Sequence, residues 1–168
     1  MKIQRQTTIN ADSEAVWEVL ARRFDQVDEW ASSVDRSTAR AGAPRVPGAP
    51  VLGRTCETEL GPFTEAILEF DEDRKVLAYS AAGEKMPFFV KSLRNRWSLT
   101  AESGARTRID MLMTADLAIP FNVFMAPVMK LQMGKILTAV MEELKHFVET
   151  GEPHPRKVNA TRSTRKAA

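Results

Sequence analysis

The chain has 168 residues, of which 43% are hydrophobic, enough for one domain with a sizeable core. No segment reaches the roughly 20 uninterrupted apolar residues that span a bilayer, and the opening MKIQRQTTIN lacks the apolar core of a secretion signal. We therefore expect a cytoplasmic protein without membrane insertion. The single cysteine, Cys56, excludes an internal disulfide, and its strand-like surroundings predict a buried, inert thiol.

The net charge of +2 conceals a basic C-terminus. Five cations and no acid lie in the last thirteen residues, and removing these cations leaves the rest of the chain at −3. A segment so rich in basic, small and polar residues buries too little apolar surface to order itself. We expect a single ligand-binding domain over residues 1–155 and a disordered tail over residues 156–168. The tail serves solubility or makes weak contacts with nucleic acid or anionic lipid, and specific nucleic-acid binding is not expected.

The N-terminal segment predicts a strand followed by two short helices. Residues 3–9 alternate between apolar and polar side chains, which is the period of a half-buried strand. Asp12 is suited to cap a short helix that carries Trp17 and Leu20. A second short helix is predicted at residues 26–31.

The middle of the chain predicts consecutive strands. Residues 42–53 contain three prolines and three glycines, so they form a loop after a strand near residues 34–41. The strands that follow are predicted at residues 54–60, 63–71, 76–82, 88–100 and 107–117. The turns between them are short enough for antiparallel neighbours, so the sheet is predicted to be a meander.

The last element is a predicted helix over residues 127–149. Its apolar side chains recur at three- and four-residue steps, and Gly151 follows as a stop signal. A meander with one apolar face must bury that face, and this helix is the element long and apolar enough to cover it. The fold class is therefore α+β, with the sheet curled around the helix.

Methionines mark the predicted interface between sheet and helix. They are Met125, Met129 and Met133 on the helix side and Met111 and Met113 in the last strand. Methionine lines adaptable pockets well and specifies a tight core poorly. Together with Gly134, which removes side-chain volume from the middle of the helix, the set favours a cavity over a filled core, although each methionine alone also fits a gap-filling role.

Polar residues that face the same interface are the candidate ligand contacts. Alternation puts Asn95 and Trp97 on one face with apolar neighbours, and Tyr79 follows Leu77 by two residues. Glu65 shares its side with Ile67, but the next apolar residues fit the opposite register, so an inward and an edge position both remain open. A buried polar group without a partner is costly and commonly serves a ligand.

Four segments, INADSEAVWEVLA, EAILEFDEDRKVLAY, NRW and ELKHFVETGEPHP, carry a resemblance to a known family. In this order and spacing, over residues 2–155, the chain resembles the START/Bet v 1-like (SRPBCC) superfamily, and within it the bacterial polyketide cyclase/dehydrase and lipid-transport group. The resemblance implies a helix-grip fold: a curved antiparallel seven-stranded sheet around a long C-terminal helix, with two short helices after strand 1. It also implies a cavity for lipids, sterols, plant hormones or polyketides, in which Arg36 and Glu65 match positions that anchor a carboxylate or hydroxyl.

Two functions fit these features. The first is a carrier or sensor of a hydrophobic small molecule, as a monomer or homodimer, and the second is a cyclase or dehydratase in which inward Arg, Glu, Asn and Tyr move protons. Neither histidine, His146 nor His154, lies on a sheet strand, and no phosphate loop or metal-ligand spacing is present in the sequence, so we assign no catalytic residue, metal or cofactor. The carrier is favoured, and a partner-binding role of the outer surface is a third hypothesis.

Overall fold

The computed structural model describes residues 1–59 and 61–167, with side chains described through residue 163. The strands are β1 (Lys2–Ile9), β2 (Arg36–Ala39), β3 (Gly53–Glu57), β4 (Phe63–Asp71), β5 (Val76–Gly83), β6 (Val90–Glu102) and β7 (Arg106–Leu117). The α-helices are α1 (Ser13–Trp17), α2 (Phe121–Phe124), α3 (Ala126–Thr150) and α4 (Pro155–Ala167). A π-helical turn, Glu18–Arg22, and a 3₁₀ helix, Phe24–Glu29, follow α1.

The seven strands form one antiparallel sheet in the order β1-β7-β6-β5-β4-β3-β2. The expected meander runs from β2 to β7, and β1 closes back onto β7, which leaves β1 and β2 as the two edges. This confirms the predicted seven-stranded sheet and long C-terminal helix. Residue 60, at the end of a predicted strand, lies outside the described residues.

One face of the sheet, here called the inner face, carries the core. Along β7, alternate residues from Thr107 to Ala115 are buried, and their neighbours between them are partly exposed. β4 departs from strict alternation because its pairing with β5 shifts between Ile67 and Glu69. The extra residue, Leu68, projects outward, so Ile67 and Phe70 are both buried. A bulge of this kind explains why β4 fits two registers in the sequence.

The helical segment after β1 packs large apolar side chains onto the core. Asp12 caps α1 by accepting a hydrogen bond of 2.8 Å from the Ala15 amide. Trp17 is fully buried, and its indole Nε1 donates to Glu72 at 2.7 Å. Phe24 and Val27 of the 3₁₀ helix, and Trp30 directly after it, are nearly inaccessible to solvent.

The long helix α3 is buried over its C-terminal half. Leu137, Met141 and Leu144 belong to the hydrophobic core, whereas most residues before Gly134 are exposed or partly exposed. Gly151 ends the helix in the left-handed conformation with φ 76°, and its amide donates to the Phe147 carbonyl at 2.8 Å. Within the described residues, no helix is both long enough and apolar enough to cross a membrane.

The basic C-terminal segment, expected to be disordered, is helical in α4. The Lys157 ammonium is buried and donates to the Val34 carbonyl at 2.6 Å. Arg156 forms ion pairs with Glu142 and with the buried Glu143 of α3. The composition predicts that these cations are solvated. In the structure, Arg156 and Lys157 instead bind groups that are distant in the sequence, and these contacts hold the first turn of α4 against the domain. Residue 168 lies outside the described residues.

Candidate functional site

The inner face carries a buried ion pair between neighbouring strands. Arg54 of β3 lies opposite Glu65 of β4, and the guanidinium Nε donates to the carboxylate Oε2 at 2.5 Å. The two side chains are only 8% and 13% exposed. Of the two registers that the sequence allows for Glu65, the structure therefore adopts the inward one.

Aromatic rings enclose the Arg54 guanidinium. Its Nη1 donates to the Phe24 carbonyl at 2.6 Å, and its central carbon lies 4.0 Å from the Phe24 ring centroid. The Phe24 ring in turn packs at 5.2 Å, edge on, against the Tyr79 ring. Burial has the largest single effect and lowers the pKa of Arg54, but the attraction of Glu65, with smaller contributions from Tyr79 and Cys56, raises the pKa overall. The guanidinium is thus a fixed, charged group.

Tyr79 and Trp97 form the next polar contact on the same face. The Trp97 indole Nε1 donates to the Tyr79 hydroxyl at 3.3 Å, and both side chains are buried. Burial, and secondarily the negative charge of Glu65, raise the pKa of Tyr79. The phenol therefore stays protonated at neutral pH, and its proton is available to a hydrogen-bond acceptor.

Asn95 lies between these groups and the last strand. It pairs in register with Tyr79 on β5 and with Met113 on β7, and its side chain is buried. Its Oδ1 atom has no hydrogen-bond partner among the described residues. A buried acceptor without a donor costs about 1–3 kcal/mol, and such groups are rare in folded proteins. We call Arg54, Glu65, Tyr79, Asn95 and Trp97 the inner cluster.

The methionines divide into two groups. Met111 and Met113 are fully buried in the core beside the inner cluster. Met125, Met129 and Met133 are partly buried, and of these Met133 packs against the core. The role in lining a cavity, expected from their spacing, stays a prediction.

Gly134 accommodates a side chain of β1. A Cβ at Gly134 would lie 2.5 Å from Nη2 of Arg5, and the Nε of Arg5 donates to the Thr138 hydroxyl at 3.0 Å. The missing side chain therefore makes room for Arg5, where the sequence suggested room for a ligand.

The resemblance implies that the Arg36 side chain faces the interior as a basic anchor for a ligand, and the structure does not place it there. Arg36 pairs with Glu57 on the outer face of the sheet and is exposed, whereas the next residue, Ser37, pairs with the buried Cys56. On the neighbouring strand β3, the cation that faces inward is Arg54, which the resemblance did not single out. The sequence pattern that indicates an inward Arg54 is the alternation in GRTCE. Free cysteine is usually buried, and Arg54 lies two residues before Cys56, so both side chains are expected on the buried face.

Two open grooves lie away from the inner cluster. One, of about 450 Å³, runs along α3 beside Arg5 and reaches Arg156, and the other, of about 380 Å³, includes Thr64 and Ala82 on the outer face. Neither is lined by a member of the inner cluster. No group of three His, Cys, Asp or Glu side chains within the described part of the chain could hold a metal ion.

The inner cluster supplies three kinds of polar group. They are the unpaired acceptor Oδ1 of Asn95, the protonated hydroxyl of Tyr79, and the ion pair of Arg54 with Glu65. These groups are set in an apolar surface, because Leu77, Leu99 and Ile109 are buried around them. Such a surface suits the polar end of a largely apolar molecule.

Solved structures with this fold come from several sources. A START superfamily protein from Mycobacterium smegmatis is 14% identical with a TM-score of 0.71, covering 88% of this chain and 97% of that protein. The protein XoxI from Bacillus cereus is 14% identical with a TM-score of 0.70, covering 91% and 99%. The allergen Ara h 8.0201, of the Bet v 1 type, is 15% identical with a TM-score of 0.61, covering 88% and 97%. At these identities the likeness establishes the fold.

Sequence comparison identifies the family. No curated protein matches the chain. A family model described as polyketide cyclase / dehydrase and lipid transport matches residues 1–149, which contain the whole sheet and α3 except its last residue. Because this match spans most of the sequence, the chain belongs to the polyketide cyclase/dehydrase and lipid transport family.

Proposed function

We propose that the chain binds a largely apolar small molecule between the inner face and α3, and that it acts as a carrier or sensor in the cytoplasm. The observation that carries the proposal is the bare Oδ1 of Asn95, buried within an apolar surface. A ligand hydroxyl or amide that donates to this atom removes the cost of leaving it unpaired. We therefore propose that the ligand carries at least one hydrogen-bond donor near one end.

The surroundings of Asn95 support an apolar body for that ligand. Met113 is its neighbour in the sheet, and Met111 lies two residues away along β7, opposite Trp97. Methionine side chains adapt to irregular shapes, so they can open for a ligand at modest cost. Proteins of the START/Bet v 1 type bind hydrophobic ligands, which agrees with this chemistry.

The carrier is favoured over an enzyme because the ionisable groups of the inner cluster are engaged. Glu65 is held by Arg54, and the raised pKa of Tyr79 opposes its action as a base at neutral pH. A second candidate is a cyclase or dehydratase. It is favoured by the register of β4 and β5, in which Glu65 lies opposite Ala81, two residues from Tyr79, since a carboxylate and a retained phenol proton are a base and an acid on one surface.

The test begins with native mass spectrometry of the protein purified from its own host, followed by extraction and identification of any released molecule. We expect a stoichiometric, mostly apolar compound with a hydroxyl or amide group. Protein that is purified without a bound compound, and that binds neither fluorescent fatty acids nor flavonoids, would contradict the proposal.

The role of Asn95 is then tested with Asn95→Leu, which keeps the side-chain size and removes the acceptor. We expect the affinity for the identified compound to fall about tenfold, the value of one net hydrogen bond, and the affinity for its deoxy analogue to stay unchanged. Equal losses of affinity for both compounds would show that the substitution disturbs packing and that Asn95 does not accept a hydrogen bond from the ligand. Turnover of the compound by the wild type would favour the enzyme.

A further inference from the structure

Apolar side chains project into solvent at one end of the molecule. They come from the loop between β5 and β6, from α2 and its preceding turn, and from the start of α3, and all are between 47% and 85% exposed. We call this surface the apolar tip; it consists of Phe88, Ile119, Val123, Phe124, Val128 and Leu131. Exposed apolar surface gathered in this way marks an interaction site in soluble proteins.

The apolar tip is held together by contacts between its segments. The Phe88 ring packs edge on against Phe121 at 5.3 Å, and the Phe89 ring stacks on Phe121 at 4.8 Å. The Ala118 amide donates to the Phe89 carbonyl at 2.8 Å, which ties the turn before α2 to the loop before β6. The segments that carry the projecting side chains are therefore packed against one another.

The tip continues along one side of α3. Val128 and Leu131, three residues apart, lie on the side of the helix turned away from the buried Leu137. No other element covers this side among the residues that the structure describes, as the exposure of both residues shows. The tip thus presents an apolar helix face together with aromatic loop residues.

Positive charge surrounds the apolar tip. Residues 84–91 and 116–136, which contain it, hold four lysines and two acids, and there is no acid between Asp116 and Glu142. Lys130 and Lys135 line the same groove as Leu131. No ion pair involves either lysine in the described part of the chain.

We propose that the apolar tip docks onto the surface of a lipid bilayer that contains anionic lipid. Phe88, Phe124 and Leu131 enter the interface between headgroups and acyl chains, while Lys130 and Lys135 contact anionic headgroups. This combination of projecting apolar groups with flanking cations is complementary to such a surface. A second copy fits less well, because a symmetric contact would bring the same lysines of both chains together.

The inference does not depend on the proposed function, since docking requires no occupied site between the sheet and α3. It is tested by sedimentation with vesicles of about one third phosphatidylglycerol in phosphatidylcholine, with pure phosphatidylcholine for comparison. The wild-type chain is expected to sediment with the anionic vesicles and to dissociate as NaCl rises from about 0.1 M to about 1 M.

Two variants remove the two contributions separately. Lys130→Glu with Lys135→Glu is expected to lower the vesicle partition coefficient about 20-fold or more, since each cation near an anionic surface contributes roughly fivefold. Phe88→Ser with Phe124→Ser is expected to lower it roughly tenfold or more through lost apolar burial. These side chains are exposed, so the circular dichroism spectra of the variants should match that of the wild type.

Matched controls lie away from the apolar tip. Arg45→Glu with Arg106→Glu changes the net charge by the same amount in exposed loop and hairpin positions at the opposite end, and Leu68→Ser removes an exposed apolar side chain from β4. Both controls are expected to bind vesicles as the wild type does. Wild-type protein that stays in the supernatant, or equal losses in tip and control variants, would overturn the proposal. So would a dimer in solution that the tip variants abolish without any vesicle binding.

Discussion

Arg54 and Glu65 face each other across β3 and β4, with the guanidinium Nε 2.5 Å from the carboxylate Oε2 and both side chains largely buried. Removing one partner of such a pair leaves an uncompensated charge in the interior. The pair therefore contributes to the stability of the inner face as well as to its chemistry.

Glu65→Gln and Arg54→Met are each expected to lower the free energy of unfolding by about 3 kcal/mol. Arg54→Met combined with Glu65→Leu should lose clearly less than the sum, since no buried charge is left unpaired. Urea denaturation at neutral pH measures all three variants. Arg96→Met, which removes an exposed pair with Glu69, is the control and should cost about 0.5 kcal/mol or less. Additive losses at Arg54 and Glu65 would contradict the coupling.

The raised pKa of Tyr79 predicts a loss of stability in alkali. Below the pKa of a tyrosine in the unfolded chain, near 10, both states keep the proton and the contribution of Tyr79 is fully present. As the pH rises above about 10, the unfolded state ionises while the buried phenol resists, so stability falls. Tyr79→Phe should flatten this decline between about pH 10 and pH 11, as followed by the melting temperature across pH. At neutral pH the variant should lose about 1–2 kcal/mol, because Trp97 Nε1 loses its acceptor. An unchanged alkaline slope in the variant would assign the decline to other groups.

Gly134 and Arg5 are expected to be energetically coupled. In Gly134→Ala the gain in helix propensity, about 1 kcal/mol, competes with displacement of the Arg5 guanidinium from Thr138. In an Arg5→Ala background this conflict is absent, so the same substitution should be more stabilising. A double-mutant cycle by urea denaturation should give a coupling of about 0.5–1 kcal/mol. A coupling near zero would mean that Arg5 moves aside without cost.

Glu143 and its neighbour Glu142 offer a matched pair on α3. Glu143 is 1% exposed and accepts hydrogen bonds from the Ser32 amide at 2.8 Å and the Ser32 hydroxyl at 2.7 Å. Glu143→Ala should cost about 2–4 kcal/mol, because these donors lose their acceptor, whereas Glu142→Ala removes an exposed pair with Arg156 and should cost under about 1 kcal/mol. Chemical denaturation compares the two. Similar losses at both positions would contradict a stabilising effect of the contacts between Glu143 and Ser32, which lies in the segment before β2.

The strands were predictable because each buries one face and so shows a period of two in the sequence. The limit of this rule is visible in β4, where Glu65 and Ile67 favour one register and Leu68 and Phe70 the other. Ile67 and Phe70 are both buried, but Leu68 is the exposed residue of the bulge, so the second register holds only for Phe70. A bulge is set by pairing with β5, which a reading of β4 alone does not contain.

The inner cluster was predicted in part for the same reason. The alternation of apolar and polar residues predicted that Tyr79, Asn95 and Trp97 face inward, and all three are buried, since each lies on a long strand with regular burial. Arg36, carried over by resemblance, lies one residue out of phase on the short edge strand β2, and Arg54 takes the inward position instead. A shift of one residue moves a side chain to the opposite face of a sheet.

The sequence by itself determined the order of the strands, the single antiparallel sheet and the long helix, because these follow from local periodicity and turn residues. Only the tertiary structure decided which cation meets Glu65, why Gly134 lacks a side chain and how α4 is held. Each of these depends on residues far apart in the chain, such as Lys157 and the Val34 carbonyl. Local patterns carry no information on such partners, because the contacts form only when the sheet and α3 come together.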